Sequence, residues 1–208
     1  MKKNLPLLTA ILLVVSSGTS SAFVATITAS NPRAVYLRVG DGAYSGTAAA
    51  NGTPQNLATI NLVSTVVPAA QVGNGTPQTM TSNATQAQSF YDNFAFCNLP
   101  NEVYIGGFYR RNGTTGSATL TVTAPASLLN TQGDSININQ ISWTSSGNQD
   151  GNAVQPIPAG TYSSGATVVA NFPVNTWRES CHSFQYANSA VVGSGDYTAR
   201  ITYTLTAL

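Results

Sequence analysis

The chain has 208 residues, of which 42% are hydrophobic and only 7% are charged, and its formal net charge is +1. This length suits one domain with a sizeable core. So few basic residues exclude the positively charged surface that binds nucleic acid.

Residues 1–22 have the features of a secretory signal peptide. Two lysines precede a short apolar run, and the small residues Ser20 and Ala22 come before the expected cleavage site. The apolar run is shorter than the roughly 20 residues that cross a bilayer, so we expect no membrane span. We therefore expect a secreted chain that begins at Phe23.

Cleavage at this site changes the charge balance. Both lysines leave with the signal peptide, and six arginines then stand against seven acidic residues. A surface so close to neutrality offers little repulsion against association of like chains.

Cys97 and Cys181 are the only cysteines. In a secreted chain, such a pair predicts one intramolecular disulfide. Metal binding is the weaker interpretation, because the two thiols and the single His182 fall short of the tetrahedral ligand set of a structural zinc site.

The pattern along the chain predicts an all-β fold, and short strands with long polar connections favour a sandwich over a closed barrel. Helical periodicity is absent, and short alternating segments are separated by Gly, Asn and Pro clusters. The expected sandwich domain covers residues 32–208. The predicted strands are Val24–Ala29, Ala34–Val39, Leu57–Val67, Glu102–Tyr109, Ala118–Ala124, Ser135–Trp143, Ala166–Phe172 and Asp196–Thr206.

The segment Ser135–Trp143 contains a shift of phase. Its apolar residues alternate at Ile136 and Ile138 and then at Ile141 and Trp143. The shift indicates either a β-bulge or two shorter strands with a kink between them.

We find no set of residues that predicts an enzyme or a cofactor site. A catalytic role for His182 beside Cys181 would need a free thiolate, which a disulfide removes, so either a surface histidine or one that hydrogen-bonds a loop carbonyl is favoured. Ser194 lacks the order of a nucleophile elbow. Asp41 and Asp150 lie beside glycines without the spaced carboxylates of a calcium loop, so ordinary turns are favoured.

Aromatic residues gather near the cysteines. Phe90–Phe96 and Val103–Tyr109 flank Cys97, and Trp177 lies just before Cys181. These residues predict a disulfide inside an aromatic cluster, which is typical of core packing. The alternative is a stacking surface for sugar rings, which would require Trp143, Trp177 or several tyrosines to be exposed together.

The two ends of the mature chain carry a family resemblance. Residues 195–208 alternate as one strand to the chain end, and Ser194–Leu205 is similar to the ending of spore-coat-U-like secreted proteins. At the other end, alternating apolar residues precede Asn31 and Pro32. Together these features resemble bacterial chaperone–usher pilins.

The resemblance implies an immunoglobulin-like β-sandwich that lacks one strand. In that family, a periplasmic chaperone and then the next subunit fill the groove by β-strand donation as an usher assembles the fibre. Residues 23–31 would be the donor strand. The implied donor side chains are Phe23, Ala25, Ile27 and Ala29, and the strand offered to a chaperone would present Tyr197, Ile201, Tyr203 and Leu205.

The sequence thus favours a secreted, non-enzymatic subunit of a pilus or fimbria, which would pass through the periplasm to the cell surface. Its implied partners are like subunits, a chaperone and an usher. The competing hypotheses are a free-standing secreted β-sandwich that binds carbohydrate or another surface ligand, and a secreted enzyme.

Overall fold

The computed structural model describes residues 33–42, 45–47, 51–52, 60–147 and 154–208. The predicted signal peptide (1–22) and the predicted donor strand (23–31) lie outside the described residues, as does Asp150.

The described chain is nearly all β-structure, with short 3₁₀ turns at Ala69–Gln71 and Ile138–Gln140. The strands, in chain order, are β1 (Arg33–Val39), β2 (Ser45–Thr47), β3 (Asn51–Gly52), β4 (Val63–Ser64), β5 (Gln78–Thr79), β6 (Thr81–Ser82), β7 (Val103–Arg111), β8 (Ser117–Ala124), β9 (Ser127–Leu129), β10 (Ser135–Asn137), β11 (Ile141–Ser146), β12 (Gly160–Thr161), β13 (Gly165–Pro173), β14 (Thr176–Tyr186) and β15 (Thr202–Ala207).

Two antiparallel sheets form the body of the protein. Among the described residues, the larger sheet has the order β12-β11-β14-β7-β1-β2, with β5 also paired to β14, and the smaller sheet has the order β13-β8-β15-β3. One apolar cluster draws side chains from both sheets, including Ile105 and Phe184 from the larger and Leu120 and Leu205 from the smaller. The predicted all-β sandwich is confirmed.

Strand β8 shows how sequence alternation produces this packing. Ala118, Leu120, Val122 and Ala124 are buried, and the residues between them are half-buried or exposed. Because successive side chains of a strand point to opposite faces, one face of β8 packs in the core. The longer partner β13 covers the same length of β8, with a register irregularity between Val168 and Ala170.

The longest strand, β14, was not among the predicted strands. His182, Phe184 and Tyr186 alternate towards the core, whereas Cys181 lies on the outer face and is also buried. Burial on both faces obscures the period-2 pattern. The spacing of the three inward aromatic residues, two positions apart in the sequence, is the signal that could have predicted this strand.

The segment Ser135–Trp143 is two shorter strands, not one bulged strand. β10 ends at Asn137, whose side chain accepts a hydrogen bond from the Asn139 backbone N–H at 3.0 Å and caps the 3₁₀ turn that follows. β11 then begins at Ile141. The turn therefore accounts for the shift of phase.

The C-terminal strand is shorter than predicted. β15 begins at Thr202, which is opposite Thr123 of β8. β8 ends at Ala124, and Pro125 has no N–H group to continue the ladder. Upstream, the backbone of Thr198 instead exchanges two hydrogen bonds of 3.0 Å with Leu129.

A loop formed by residues 83–102, here called the outer loop, covers part of the outer face of the larger sheet. Its Cys97 forms a disulfide with Cys181 of β14, with the two Cα atoms 5.5 Å apart. Phe96 and Tyr104 pack with the disulfide in a second buried cluster. The predicted disulfide and its aromatic surroundings are confirmed.

Among the residues that the structure describes, no helix is long and apolar enough to cross a membrane.

We predict that replacing both cysteines, in the variant Cys97→Ala/Cys181→Ala, will strongly destabilise the fold. The disulfide closes a loop with a sequence separation of 84 residues. Such a loop stabilises the native state by about 4 kcal/mol in the chain-entropy model. Urea unfolding of the oxidised protein, the reduced protein and the variant measures the loss. Equal unfolding free energies for all three would contradict the prediction.

Candidate functional site

An apolar groove opens between the two sheets beside the C-terminal strand. Its volume is about 480 Å³, within the range of about 300–1,000 Å³ that is common for binding pockets. Inward side chains of the larger sheet form its floor. These floor residues are Val39, Val103, Ile105, Ile141 and Phe184.

Two extended segments form the walls of this groove. One wall is residues 60–63 and the other is residues 199–203. Ile60 and Leu62 are 54% and 61% exposed, although both are large and apolar. Ile201 on the opposite wall is half-buried against the core. The groove therefore presents apolar side chains to solvent along both walls.

Asp41 holds the first wall in place. The Asn61 side chain donates to the Asp41 carboxylate at 2.8 Å, and the Thr85 backbone N–H donates to it at 2.9 Å. Partial burial acts to raise the pKa of Asp41, but the hydrogen bonds from Asn61 and Thr85 leave this pKa below its ordinary value. Asp41 thus lies in a turn, as the sequence favoured, and its carboxylate fastens the wall to the end of β1.

The strand β15 lies beside the groove and is paired unevenly. β8 pairs with it over its full length, from Thr202 to Ala207. On the other side, β3 pairs only with Leu205 and Thr206. Among the described residues, the stretch from Thr202 to Thr204 therefore has a strand partner on one side only.

The residues that the resemblance assigned to the C-terminal assembly strand fall into two groups. Tyr203 and Leu205 lie in β15 and point into the core. Tyr197 and Ile201 precede the strand and are half-buried against the same core, and the Tyr197 hydroxyl donates to the Gly193 carbonyl at 2.9 Å. The four implied donor residues, Phe23, Ala25, Ile27 and Ala29, lie outside the described residues.

A buried tyrosine pair lines the groove. The hydroxyl oxygens of Tyr162 and Tyr203 are 3.0 Å apart, and both side chains line the groove. Burial raises the pKa of Tyr203 to about 12 and raises that of Tyr162 well above its ordinary value. Both phenols therefore stay neutral and act as hydrogen-bonding groups.

The two tryptophans have different environments. Trp143 is 6% exposed and packs in the core, where its indole N–H donates to the Pro158 carbonyl at 2.9 Å. Trp177 lies on the outer face of the larger sheet, beside Tyr91 of the outer loop at a ring distance of 5.8 Å. Of the two tryptophans, only Trp177 is therefore placed where it could belong to the stacking surface for sugar rings, the alternative that the sequence analysis considered.

His182 is a core residue and not a surface histidine. Its ring stacks on Trp143 at 5.7 Å, and its Nε2 atom is 3.3 Å from the Ile157 carbonyl oxygen. Burial lowers the pKa of His182 to about 4, although the contact with the Ile157 carbonyl acts in the opposite direction. A neutral ring therefore donates through Nε2, as the hydrogen-bonding alternative to catalysis expected.

One cluster of possible metal-ligating groups occurs in the described part of the chain. It contains Cys97, Glu102 and Cys181. The two sulfur atoms are joined in the disulfide and carry no thiolate. Glu102 accepts hydrogen bonds from the Asn98 N–H at 2.7 Å and from the Ser146 hydroxyl at 2.6 Å. This carboxylate therefore secures the outer loop.

Comparisons of the chain with protein-family models, with curated proteins and with solved structures gave no match.

We predict that His182 makes the fold sensitive to acid. Its folded pKa of about 4 lies below the ordinary value of 6.5, so the unfolded state binds the proton more readily. The contribution of neutral His182 to the free energy of unfolding is fully present above about pH 6.5. This contribution falls as the pH drops towards 4, and the free energy of unfolding is lower by about 3 kcal/mol at pH 4.

The control for this prediction is His182→Phe, measured by urea unfolding between pH 7 and pH 4. The variant keeps an aromatic ring against Trp143, and the Ile157 carbonyl still accepts a hydrogen bond from the Ser145 hydroxyl at 2.5 Å. We expect the variant to have the flatter pH profile. Parallel profiles would show that another group causes the acid sensitivity.

Proposed function

We propose that this protein is a secreted, non-enzymatic subunit of a surface fibre, and that a β-strand from a neighbouring subunit occupies the groove. One observation carries the proposal: the groove has an apolar floor between two extended walls, and the large apolar side chains of Ile60 and Leu62 on one wall are more than half exposed. An added strand would gain backbone hydrogen bonds and buried side chains at the same place.

Physical chemistry supports an extended peptide as the occupant of the groove. Exposed apolar walls favour an occupant that removes them from water, and an extended peptide can do so while its backbone pairs with a neighbouring strand. Alternate side chains of an inserted strand would point to the floor and would fix its register. The walls at residues 60–63 and 199–203 would flank this strand.

The donor segment in this proposal is residues 23–31. Its residues Phe23, Ala25, Ile27 and Ala29 alternate with Val24, Thr26 and Thr28, so one face is apolar and the other is largely polar. The segment ends just before β1 begins at Arg33. A donor tethered there can extend from one subunit to the next.

The remaining parts of the proposal follow from the resemblance to chaperone–usher pilins. A subunit whose groove is open during export needs a temporary partner, which is the role of a periplasmic chaperone, and an usher would then exchange that partner for the next subunit. The fibre would be displayed at the cell surface and would support adhesion.

A free-standing sandwich is the competing function. In that case, the segment 23–31 would pair within its own molecule, and the mature chain would be a stable monomer. The outer position of Trp177 beside Tyr91 favours carbohydrate as the ligand of such a monomer.

We predict that Ile27→Asp will abolish fibres but not the folding of a chaperone-bound subunit, because an unpaired charge would enter an apolar groove. Thr28→Asp is the matched control, since the adjacent side chain faces the opposite way. Electron microscopy of producing cells and gel analysis of unboiled samples measure assembly. Deletion of Phe23–Ala29 should have the same effect as Ile27→Asp. A wild-type protein that folds alone as a monomer, without filaments, would end the proposal.

We also predict that Leu62→Asp will block assembly from the acceptor side. Leu62 lines the groove, whereas Val66 on the same segment is 88% exposed and does not line it. Val66→Asp is therefore the matched control. Neither change should greatly lower monomer stability, because both side chains are exposed. Equal fibre yields from the two variants would place the donor strand elsewhere.

A further inference from the structure

The outer face of the larger sheet carries a row of aromatic rings that the main core does not use. Tyr36, Phe108 and Trp177 are direct cross-strand neighbours on β1, β7 and β14. Their ring centroids are separated by 4.8 Å and 5.4 Å, with interplanar angles of 29° and 30°. Tyr91 extends this row from the outer loop, at 5.8 Å from Trp177.

Tyr91 is 72% exposed at the end of the row. Its neighbour Phe90 also lies at the surface, but the guanidinium of Arg38 covers its ring at 4.0 Å from the centroid. The exposed ring of Tyr91 beside Trp177 is therefore accessible to a ligand that stacks on aromatic faces.

The loop that presents Tyr91 is closed by its own hydrogen bonds. The Ser89 N–H donates to the Phe94 carbonyl at 2.8 Å, and the Tyr91 N–H donates to the Ser89 hydroxyl at 3.0 Å. The Ser89 hydroxyl in turn donates to Glu179 of β14 at 2.7 Å. Because the loop is fastened to the sheet, a ligand would not have to order it.

Polar groups stand around the same rings. A cleft of about 670 Å³ is lined by Tyr91 and Trp177 together with Asp92, Thr176 and Glu179. Among the described residues, each Glu179 oxygen accepts one hydrogen bond, from Ser89 and from Tyr104, and a carboxylate oxygen can accept a second. The cleft thus combines aromatic faces with carboxylate and hydroxyl groups.

We propose that this cleft binds a neutral carbohydrate, with a hexopyranose ring against Tyr91 and Trp177. The electron-rich faces of the two rings suit the C–H face of a sugar, and the hydroxyls of the sugar suit Asp92 and Glu179 as charged acceptors. The two carboxylates disfavour acidic sugars through like-charge repulsion.

The carbohydrate site is independent of fibre assembly. The aromatic row lies on the outer face of the larger sheet, whereas the groove has the inner face as its floor. A change in the cleft therefore tests carbohydrate binding without altering either wall of the groove.

The test titrates the mature full-length chain with cellohexaose, mannohexaose and hexa-N-acetylchitohexaose, by calorimetry and by tryptophan emission. At least one of these neutral oligosaccharides should bind and should change the emission of Trp177. Tyr91→Ala should weaken binding at least tenfold, whereas Tyr91→Phe, which keeps the ring, should bind within about twofold of the wild type. Val191→Ala removes an apolar side chain that is 84% exposed and outside the cleft, and it should change nothing.

Three results would overturn the inference. The first is the absence of heat and emission change with all three oligosaccharides. The second is equal binding by Tyr91→Ala and the wild type. The third is tighter binding of heparin, an acidic polysaccharide, than of every neutral probe. Circular dichroism of each variant separates lost binding from lost folding.

Discussion

The pairing of β7 with β14 is the constraint on which the rest of the structure depends. These strands are in register from Tyr109 opposite Thr176 to Val103 opposite His182. The pair is buried on both faces: Ile105 points into the sandwich core, and Tyr104 points into the cluster around the disulfide. The smaller sheet must therefore cover one face and the outer loop must cover the other. The groove lies on the inner side of the larger sheet, and the aromatic cleft lies on its outer side.

This double burial also explains what the sequence could and could not predict about the fold. Only one face of β8 packs in the core, so apolar and polar residues alternate clearly in its sequence. Its predicted bounds therefore differ from the observed ones by only one residue. In β14, Glu179 accepts hydrogen bonds from Ser89 and Tyr104 beneath the outer loop. Ser89 and Tyr104 are distant from Glu179 in sequence, so no local sequence pattern predicts these hydrogen bonds.

The candidate sites were predictable to different extents. Alternation near the C-terminus correctly gave Tyr203 and Leu205 as strand residues, whereas the early end of the partner strand at Ala124 set the true start of β15. For the aromatic residues, composition could not separate Trp143 from Trp177. In the structure, Trp143 lies in the core and Trp177 lies on the outer face of the larger sheet. Such an assignment requires knowing which strands are neighbours.

The disulfide has a mechanical consequence for a chain that is pulled from its two ends. Cys97 and Cys181 are separated by 84 positions, and the covalent link between them carries the load past everything that lies between. At about 3.4 Å per extended residue, the link withholds roughly 280 Å of contour length from extension. Strands β7 to β13 lie wholly between the two cysteines, so tension on the chain ends can separate β1 or β15 without extending the backbone of these strands.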